Sequence, residues 1–574
     1  MKQINRQAIF LLLPALLLGA PQLHAQKARK KQAPKKQQPA RNSTPAPARP
    51  QTAQRSDSTF GSTTLEIVQV YKPEVKLPPK PQVSPVLPAA ETTVPPQTYV
   101  VPAQTLVYSY TSLPLRPLAL GIDTTQQPAA GYLQLGAGNL HTLFLDGGYA
   151  GNLGAAKATV HLHHLSQKGK LADQQLAQTG LEGSLNWRQG NNNWHAFLDL
   201  KRHQYKAYGF DHYLYNYHDS LKRRYLGARA GIEMRHDPVN PATDWFYAPR
   251  LTAGWYSAKN GFTESSVFFD APVRKALSEA WNLEAGANVR IIQLSHPDTS
   301  FTNNMLQATI GLAYNNGDLQ GRAVLRPTLG RDGMSWLLPE LTARYQLVEE
   351  HFFFKAGYRS ALLLNTLEDL TTSNPFLAPG AYFSQQTRQD EVYAGLEAAL
   401  GQHLNLEVKA GWLQQKGLPL FVNLPQDGGR DFGLLTDPLV RAWSLEAGAR
   451  YQVGRELGIG FNAQFINYYK HTYVRVWHQP GIRATADVQW QILPQLNFTA
   501  YGSLMDKIYA PGATFNTARK LETIFDIGAG AAYEIVPHFS LFARVNNLLN
   551  LKYQRWQGYE AYGINIFGGI GLKL

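Results

Sequence analysis

None of the 574 residues is cysteine. That removes a disulfide framework, a thiol nucleophile, a thiolate metal site and a lipid-modified N-terminal cysteine. Long apolar runs are missing as well. The longest, Ile9 to Ala20, is interrupted by Pro14 and is too short to span a bilayer as a helix. With Lys2 and Arg6 before it and Leu23-His24-Ala25 after it, residues 1–25 read as a secretory signal peptide, and Gln26 as the mature start. No acidic residue falls between Gln26 and Ser56, and no glycine between Gly61 and Gly121. There is no Gly-x-Ser-x-Gly, His-Glu-x-x-His or phosphate loop. The sequence therefore assigns no catalytic residues, no cofactor and no metal ligand set, and the reading is not an enzyme.

What is present changes character along the chain. Residues 26–62 form a basic tail carrying Lys27, Arg29, Lys30, Lys31, Lys35, Lys36, Arg41, Arg49 and Arg55, most of the formal charge of +14. Such a composition buries too little apolar surface to order itself, so a disordered segment is expected. A basic tail suggests nucleic acid first. An exported chain instead meets anionic lipid headgroups, peptidoglycan or an acidic partner, or carries the tail as a solvated tether, and nucleic acid is set aside as a partner. Residues 63–128 are Pro-rich and extended. Within them Leu65-Glu-Ile-Val-Gln-Val70 is a β-prone run of the kind that adds to the sheet edge of a partner.

From residue 129 the pattern becomes one of alternating strands. Trp281, Leu283, Ala285, Ala287, Val289 and Ile291 alternate with Asn282, Glu284, Gly286, Asn288 and Arg290; Ile482 to Ile492 and Leu457 to Phe465 repeat the pattern. At the C-terminal end Leu521, Thr523, Phe525, Ile527, Ala529, Ala531 and Tyr533 are assigned to one face of a strand. Glu522, Asp526 and Glu534 take the other, with Arg544 on the next strand. Alternation alone also fits a soluble sandwich. Strand length favours the membrane, since many segments run about 10–14 residues, enough to cross a bilayer at a tilt. A mean hydropathy of −0.29 is what a wall with one face on water would give. Short connections such as Val536-Pro537, Pro494-Gln495, Gly454-Arg455 and Gly154-Ala155 alternate with long ones at 204–223, 294–301, 362–385, 417–437, 469–479, 506–520 and 551–562. The fold class expected over residues 129–574 is all-β: a transmembrane antiparallel up-and-down β-barrel of about 22 strands, with a range of 18 to 22.

Three stretches carry a family likeness. Glu66-Ile67-Val68-Gln69-Val70 resembles the TonB box. Arg544-Val-Asn-Asn-Leu-Leu-Asn-Leu-Lys-Tyr553 with the terminal strand resembles the closing hairpin of TonB-dependent receptors, an Asn-Leu-x-Asn-x-x-Tyr element. Gly569, Leu572 and Leu574 resemble the terminal assembly signal of outer-membrane barrels, with Leu574 in place of the usual aromatic. The chain departs from the family in having about 60 glycine-free residues where a globular plug would stand, so the resemblance is to a plugless or minimal-plug relative. It implies an integral outer-membrane protein with a periplasmic N-terminal tail that binds or admits an extracellular solute or polymer. The alternative is a non-transporting barrel subunit of a secretion or envelope-biogenesis complex. Implied partners are outer-membrane lipid, the barrel assembly machinery and TonB, and for the alternative a surface lipoprotein or secretion-complex subunit.

Candidate contact residues lie on the long loops. Tyr205, Tyr208, Phe210, Tyr213 and Tyr215 crowd the first, joined by Phe376 and Tyr382 on 362–385 and Phe421 on 417–437. Tyrosine offers large amphipathic contact area at low entropy cost; girdle aromatics would look the same. Asp211, His212, His218 and Asp219 match no strong metal spacing. His161, His163 and His164 share a strand without a Ser or acidic partner assignable from sequence. The 63–123 segment is expected at least partly inside the barrel, where Lys72, Lys76 or Lys80 would pair with Glu522, Asp526 or Glu534.

Overall fold

The computed structural model describes residues 130–574 apart from 218–220, 239, 241–243, 260, 382–385 and 513–515. The signal peptide, the basic tail, the Pro-rich segment, the Glu66 to Val70 run, His218, Asp219 and Tyr382 lie outside the described residues.

The wall is one antiparallel sheet of 24 strands, of which Trp245–Tyr247 and Thr299–Thr302 are short additions, leaving 24 − 2 = 22 that make the ring. The first, Gly131–Gly138, pairs with the last, Asn565–Lys573, in the register Tyr132↔Lys573 to Gly138↔Phe567, so the sheet has no free edge. Every other wall strand pairs with its neighbours in sequence. This up-and-down order follows from connections that are alternately a tight turn and a loop.

Side-chain parity divides the wall into two surfaces. Val160, Leu162, Leu181, Leu198, Ile310, Leu341, Leu445, Phe461, Trp490 and Ile570 are exposed on the outside. A continuous aliphatic and aromatic exterior on a closed sheet is the surface a bilayer accepts, because every backbone group is already paired. The inner face carries charge, exchanged between neighbouring strands. Arg322 Nε donates to Glu284 at 2.8 Å and its Nη1 to Glu340 at 2.8 Å; Arg344 reaches Glu397 at 2.8 Å; Lys409 holds Glu391 and Glu446, each at 3.0 Å.

Gly569 of the terminal signal is required by the closure, since a Cβ there would stand 1.8 Å from the Leu135 carbonyl of the first strand. One sequence assignment fails near the C-terminus. The strand begins at Ile524, so Leu521 and Glu522 belong to the preceding loop; Leu521 is buried with Ile508, Ala510 and Ile524 instead of facing outward. Glu522 is exposed and is not a lumen strand residue. The alternation ran past the true strand end because the loop packs an apolar side chain under itself.

Candidate functional site

The loops at one end of the barrel fold together into a lid. The fifth wall strand, Asn192–Lys206, and the fifteenth, Leu404–Lys416, are ten places apart in a ring of 22, almost opposite. The loops that follow them nevertheless share one apolar cluster: Tyr208 and Phe210 from the first, Phe421 and Phe432 from the second, with Phe376 and Leu377 from 365–385 and Trp556 and Tyr559 from 547–564. A core built from opposite sides of the ring must cross the mouth.

Local sequence explains each piece. After Leu418–Asn423 the chain turns through Pro425–Asp427, with Gly428 and Gly429 at φ 62° and 83°, and returns as Phe432–Asp437. Phe432 is fully buried, donates its N–H to the Phe376 carbonyl at 2.9 Å and lies across Trp556 and His478. Phe376 stacks on Tyr559 at 3.6 Å between ring centroids. Polar groups taken into this core mostly find partners, as burial demands, although the Nε2 of His478 has none. Arg223 pairs with Asp431, which also accepts from Arg430 at 2.7 Å. Tyr208 donates to the Glu560 carbonyl at 2.7 Å, and its hydroxyl is pushed up to about 12 by burial. His478 donates Nδ1–H to the Phe421 carbonyl at 2.9 Å, and burial lowers its pKa to about 3. Arg555 donates to the His478 carbonyl at 2.8 Å and is held down to about 9, first by burial and then by Arg483 nearby.

The 547–564 loop shows what the Asn-Leu-x-Asn-x-x-Tyr element does. Asn547 and Asn550 sit at φ 47° and 51°, left-handed positions that asparagine tolerates. Asn547 closes a ring with Leu551 through both its amide groups, and the Asn550 oxygen accepts the Ile564 N–H at 2.9 Å. Tyr553 donates to Asp526 at 2.7 Å, fastening the loop to the top of the wall.

Below the lid, one helix enters the lumen. Strand thirteen, Phe352–Leu364, is followed by α1, Leu367–Ser373. Thr366 accepts the Asp369 N–H at 3.0 Å, an N-cap. Asp369, in the first turn, is raised in pKa, chiefly by burial. Glu368 reaches Lys201 and, at 2.7 Å, Arg229. These cations face inward on strands five and six, five residues below Lys206 and seven below Lys222 respectively. At about 3.3 Å per residue, that is roughly 15–25 Å down the wall. Glu264 accepts the Leu367 N–H at 2.7 Å, Tyr256 and Thr371 share a 2.8 Å hydrogen bond, and Tyr225 donates to the Pro375 carbonyl at 2.7 Å. The loop after strand thirteen is thus clamped to strands five to eight, across the bore.

The structure places the sequence candidates unevenly. Tyr208, Phe210, Phe376 and Phe421 belong to the cluster and Tyr205 and Tyr215 pack against it, Tyr215 also stacked on Tyr217, while Tyr213 is fully exposed next to exposed Leu214. The apolar character of 417–437, and of the described part of 362–385 up to Ala381, is lid core. Sequence reasoning missed Glu368, Lys201, Arg229 and the Arg223–Asp431 pair. The Thr366-x-x-Asp369 spacing was a signal for α1; nothing local marks the cations it meets.

No family model matches the chain, and no curated protein matches it in sequence. Solved structures do match it in shape. The FrpB iron transporter from Neisseria meningitidis superposes with a TM-score of 0.60 at 14% identity, covering 78% of this chain and 82% of that one. The siderophore receptor PirA from Acinetobacter baumannii gives 0.59 at 9%, covering 78% and 81%. FpvA of P. aeruginosa, solved with pyoverdine and iron, gives 0.58 at 12%, covering 78% and 72%. The fold is that of the TonB-dependent receptor barrels. Residues 130–574 are 445 of 574, about the matched share, so the likeness with these receptors is one of the barrel.

Proposed function

We propose that the chain is an outer-membrane receptor of the TonB-dependent type, which recognises an extracellular solute or polymer on its loop surface and admits it through the barrel. The observation that carries this reading is the clamp of Glu368 between Lys201 and Arg229, below a lid that closes the mouth. A barrel of 22 strands encloses a bore that outer-membrane transporters keep filled. Here part of that filling is a helix whose Glu368 is tied to two wall cations, alongside the hydrogen bonds from Glu264 and Tyr256. The fully exposed Tyr213 and its neighbour Leu214 offer the first contact surface. In this reading the periplasmic N-terminal tail presents Glu66 to Val70 to TonB, and the shape neighbours described as iron and siderophore receptors make ferric chelates the first solutes to try. Uptake of a panel of labelled ferric chelates and oligosaccharides should be measured in cells with and without TonB, and with residues 65–73 deleted. Transport that needs both supports the reading; transport indifferent to both overturns it.

The second reading, a non-transporting subunit of a secretion or envelope-biogenesis complex, is favoured by a different observation: six of the eight candidate loop aromatics belong to one apolar cluster or pack against it. Affinity isolation from native membranes distinguishes the two. A stoichiometric surface lipoprotein or secretion-complex subunit, with no solute transported, decides for the second.

A further inference from the structure

On the inner wall, strands two to five bring together two imidazoles and several carboxylates. Strand three, Ala156–Lys168, places His161 and His163 on its inward parity, while Val160 and Leu162 face out. His161 stands opposite Glu182 on strand four, and Glu182 opposite Asp199 on strand five; His163 stands opposite Asp146 on strand two and Gly180 on strand four. Among the described residues, His161, His163 and Glu182 offer ligand atoms that all lie within 4.8 Å of one another.

Three features make this a built arrangement. First, the His161 ring stands between two carboxylates, with Asp146 Oδ2 3.1 Å from Nε2 and Glu182 Oε2 3.9 Å from Nδ1. A carboxylate on the distal nitrogen is the usual way a metal-binding imidazole is oriented. Second, Glu182 and Asp199 are like charges in directly opposed positions, which destabilise a sheet. Arg229, across from Asp199, is committed to Glu368. Third, room for the His163 ring exists only because residue 180 is glycine: a Cβ there would lie 2.1 Å from the ring. The ring stacks on His161 at 5.6 Å, and its buried Nδ1 has no hydrogen-bond partner.

We propose that His161, His163 and Glu182 bind one divalent transition-metal ion on the lumen wall, with Asp146 positioning His161. Two imidazoles and a carboxylate suit Zn²⁺ and its neighbours and leave a coordination position open to the lumen. The site needs neither transport nor TonB, so it stands apart from the function proposed above.

The test uses the full-length barrel in detergent, stripped with EDTA and titrated with ZnCl₂ by calorimetry, and with CoCl₂ by visible absorption. Wild-type protein should take up one ion per chain, with cobalt bands of a low-coordinate nitrogen and oxygen site. Asp146→Asn should weaken binding about 10- to 100-fold, the usual effect of removing an orienting partner. Glu182→Gln and the double variant His161→Ala/His163→Ala should abolish it. Gly180→Ala, which removes no ligand atom, should also weaken it by displacing the ring. His164→Ala is the control, because His164 lies on the other parity and bonds Thr179 at 2.8 Å. Heat-modifiable migration checks that each variant folds, and Asp146→Asn, nearly isosteric, keeps the test open where a larger change does not fold. Zinc uptake equal in wild type and the double variant, or lost equally in His164→Ala, overturns the proposal.

Discussion

His478 is asked to remain neutral inside the lid, and its surroundings leave it little choice. Its ring lies against Phe432 and Trp556, its Nδ1–H is spent on the Phe421 carbonyl, and the adjacent charged group, Arg555, is itself a cation. The native pKa of about 3 lies below the ordinary 6.5, so this histidine contributes nothing to pH dependence above 6.5. As pH falls from 6.5 toward 3 the opened loop binds a proton that the packed loop refuses, and the lid loses about 1.4 kcal/mol per pH unit. Protection factors across 471–481 and 417–439, which allow for the slower intrinsic exchange in acid, should therefore fall between pH 7 and pH 5 while those of the wall strands hold. His478→Phe should flatten that dependence; an equal acid response in the variant would assign it to other groups. Nothing local announces this role, because a lone histidine between Trp477 and Gln479 reads as an ordinary loop residue. Asn547, Asn550 and Tyr553 were legible, since their spacing is local and each acts within a few residues or on the next strand.

At the scale of elements, legibility follows the range of the forces involved. A wall strand is written in its own residues with period two. The short turns at Gly154-Ala155, Gly454-Arg455, Pro494-Gln495 and Val536-Pro537 accordingly fall where expected, and the ring has the 22 strands the alternation implied. The loops are written in residues far away. Leu521 looked like strand because it is apolar in phase, and the aromatics of 204–223 looked like a contact surface because their burial depends on loops ten strands distant. Parity itself can be tested on one strand. Trp490 and Ile492 of Ile482–Leu493 are exposed on the outer face, which Val488 shares, while Gln489 takes the opposite parity. Val488→Arg should cost about 2–4 kcal/mol near the bilayer midplane and Gln489→Arg far less, read as the shift in urea midpoint of the barrel folded into vesicles. Similar shifts at both positions would refute a lipid-facing outer surface.

For the whole molecule the question is what closes the bore. The lid and α1 lie in series along one path, at the long-loop end and within the lumen, and residues 63–123 are a third candidate that lies outside the described residues. Extended chain reaches up to about 3.3 Å per residue, so that segment is long enough to enter the barrel and return. Closures in series have a definite signature: the narrowest sets the current, and removing any other changes little. Glu368→Lys would set three cations against one another where the clamp now pairs, releasing α1 from Lys201 and Arg229. Single-channel conductance in planar bilayers should then be compared for four proteins: intact, lacking 63–123, carrying Glu368→Lys, and carrying both changes. If the segment occupies the lumen beside α1, each single change should raise conductance modestly and the combination should raise it by more than the sum of the two. If deletion of 63–123 has no effect in either background, the segment is not the closure that sets the current, and loops that fold inward from one end are sufficient to seal a 22-stranded wall.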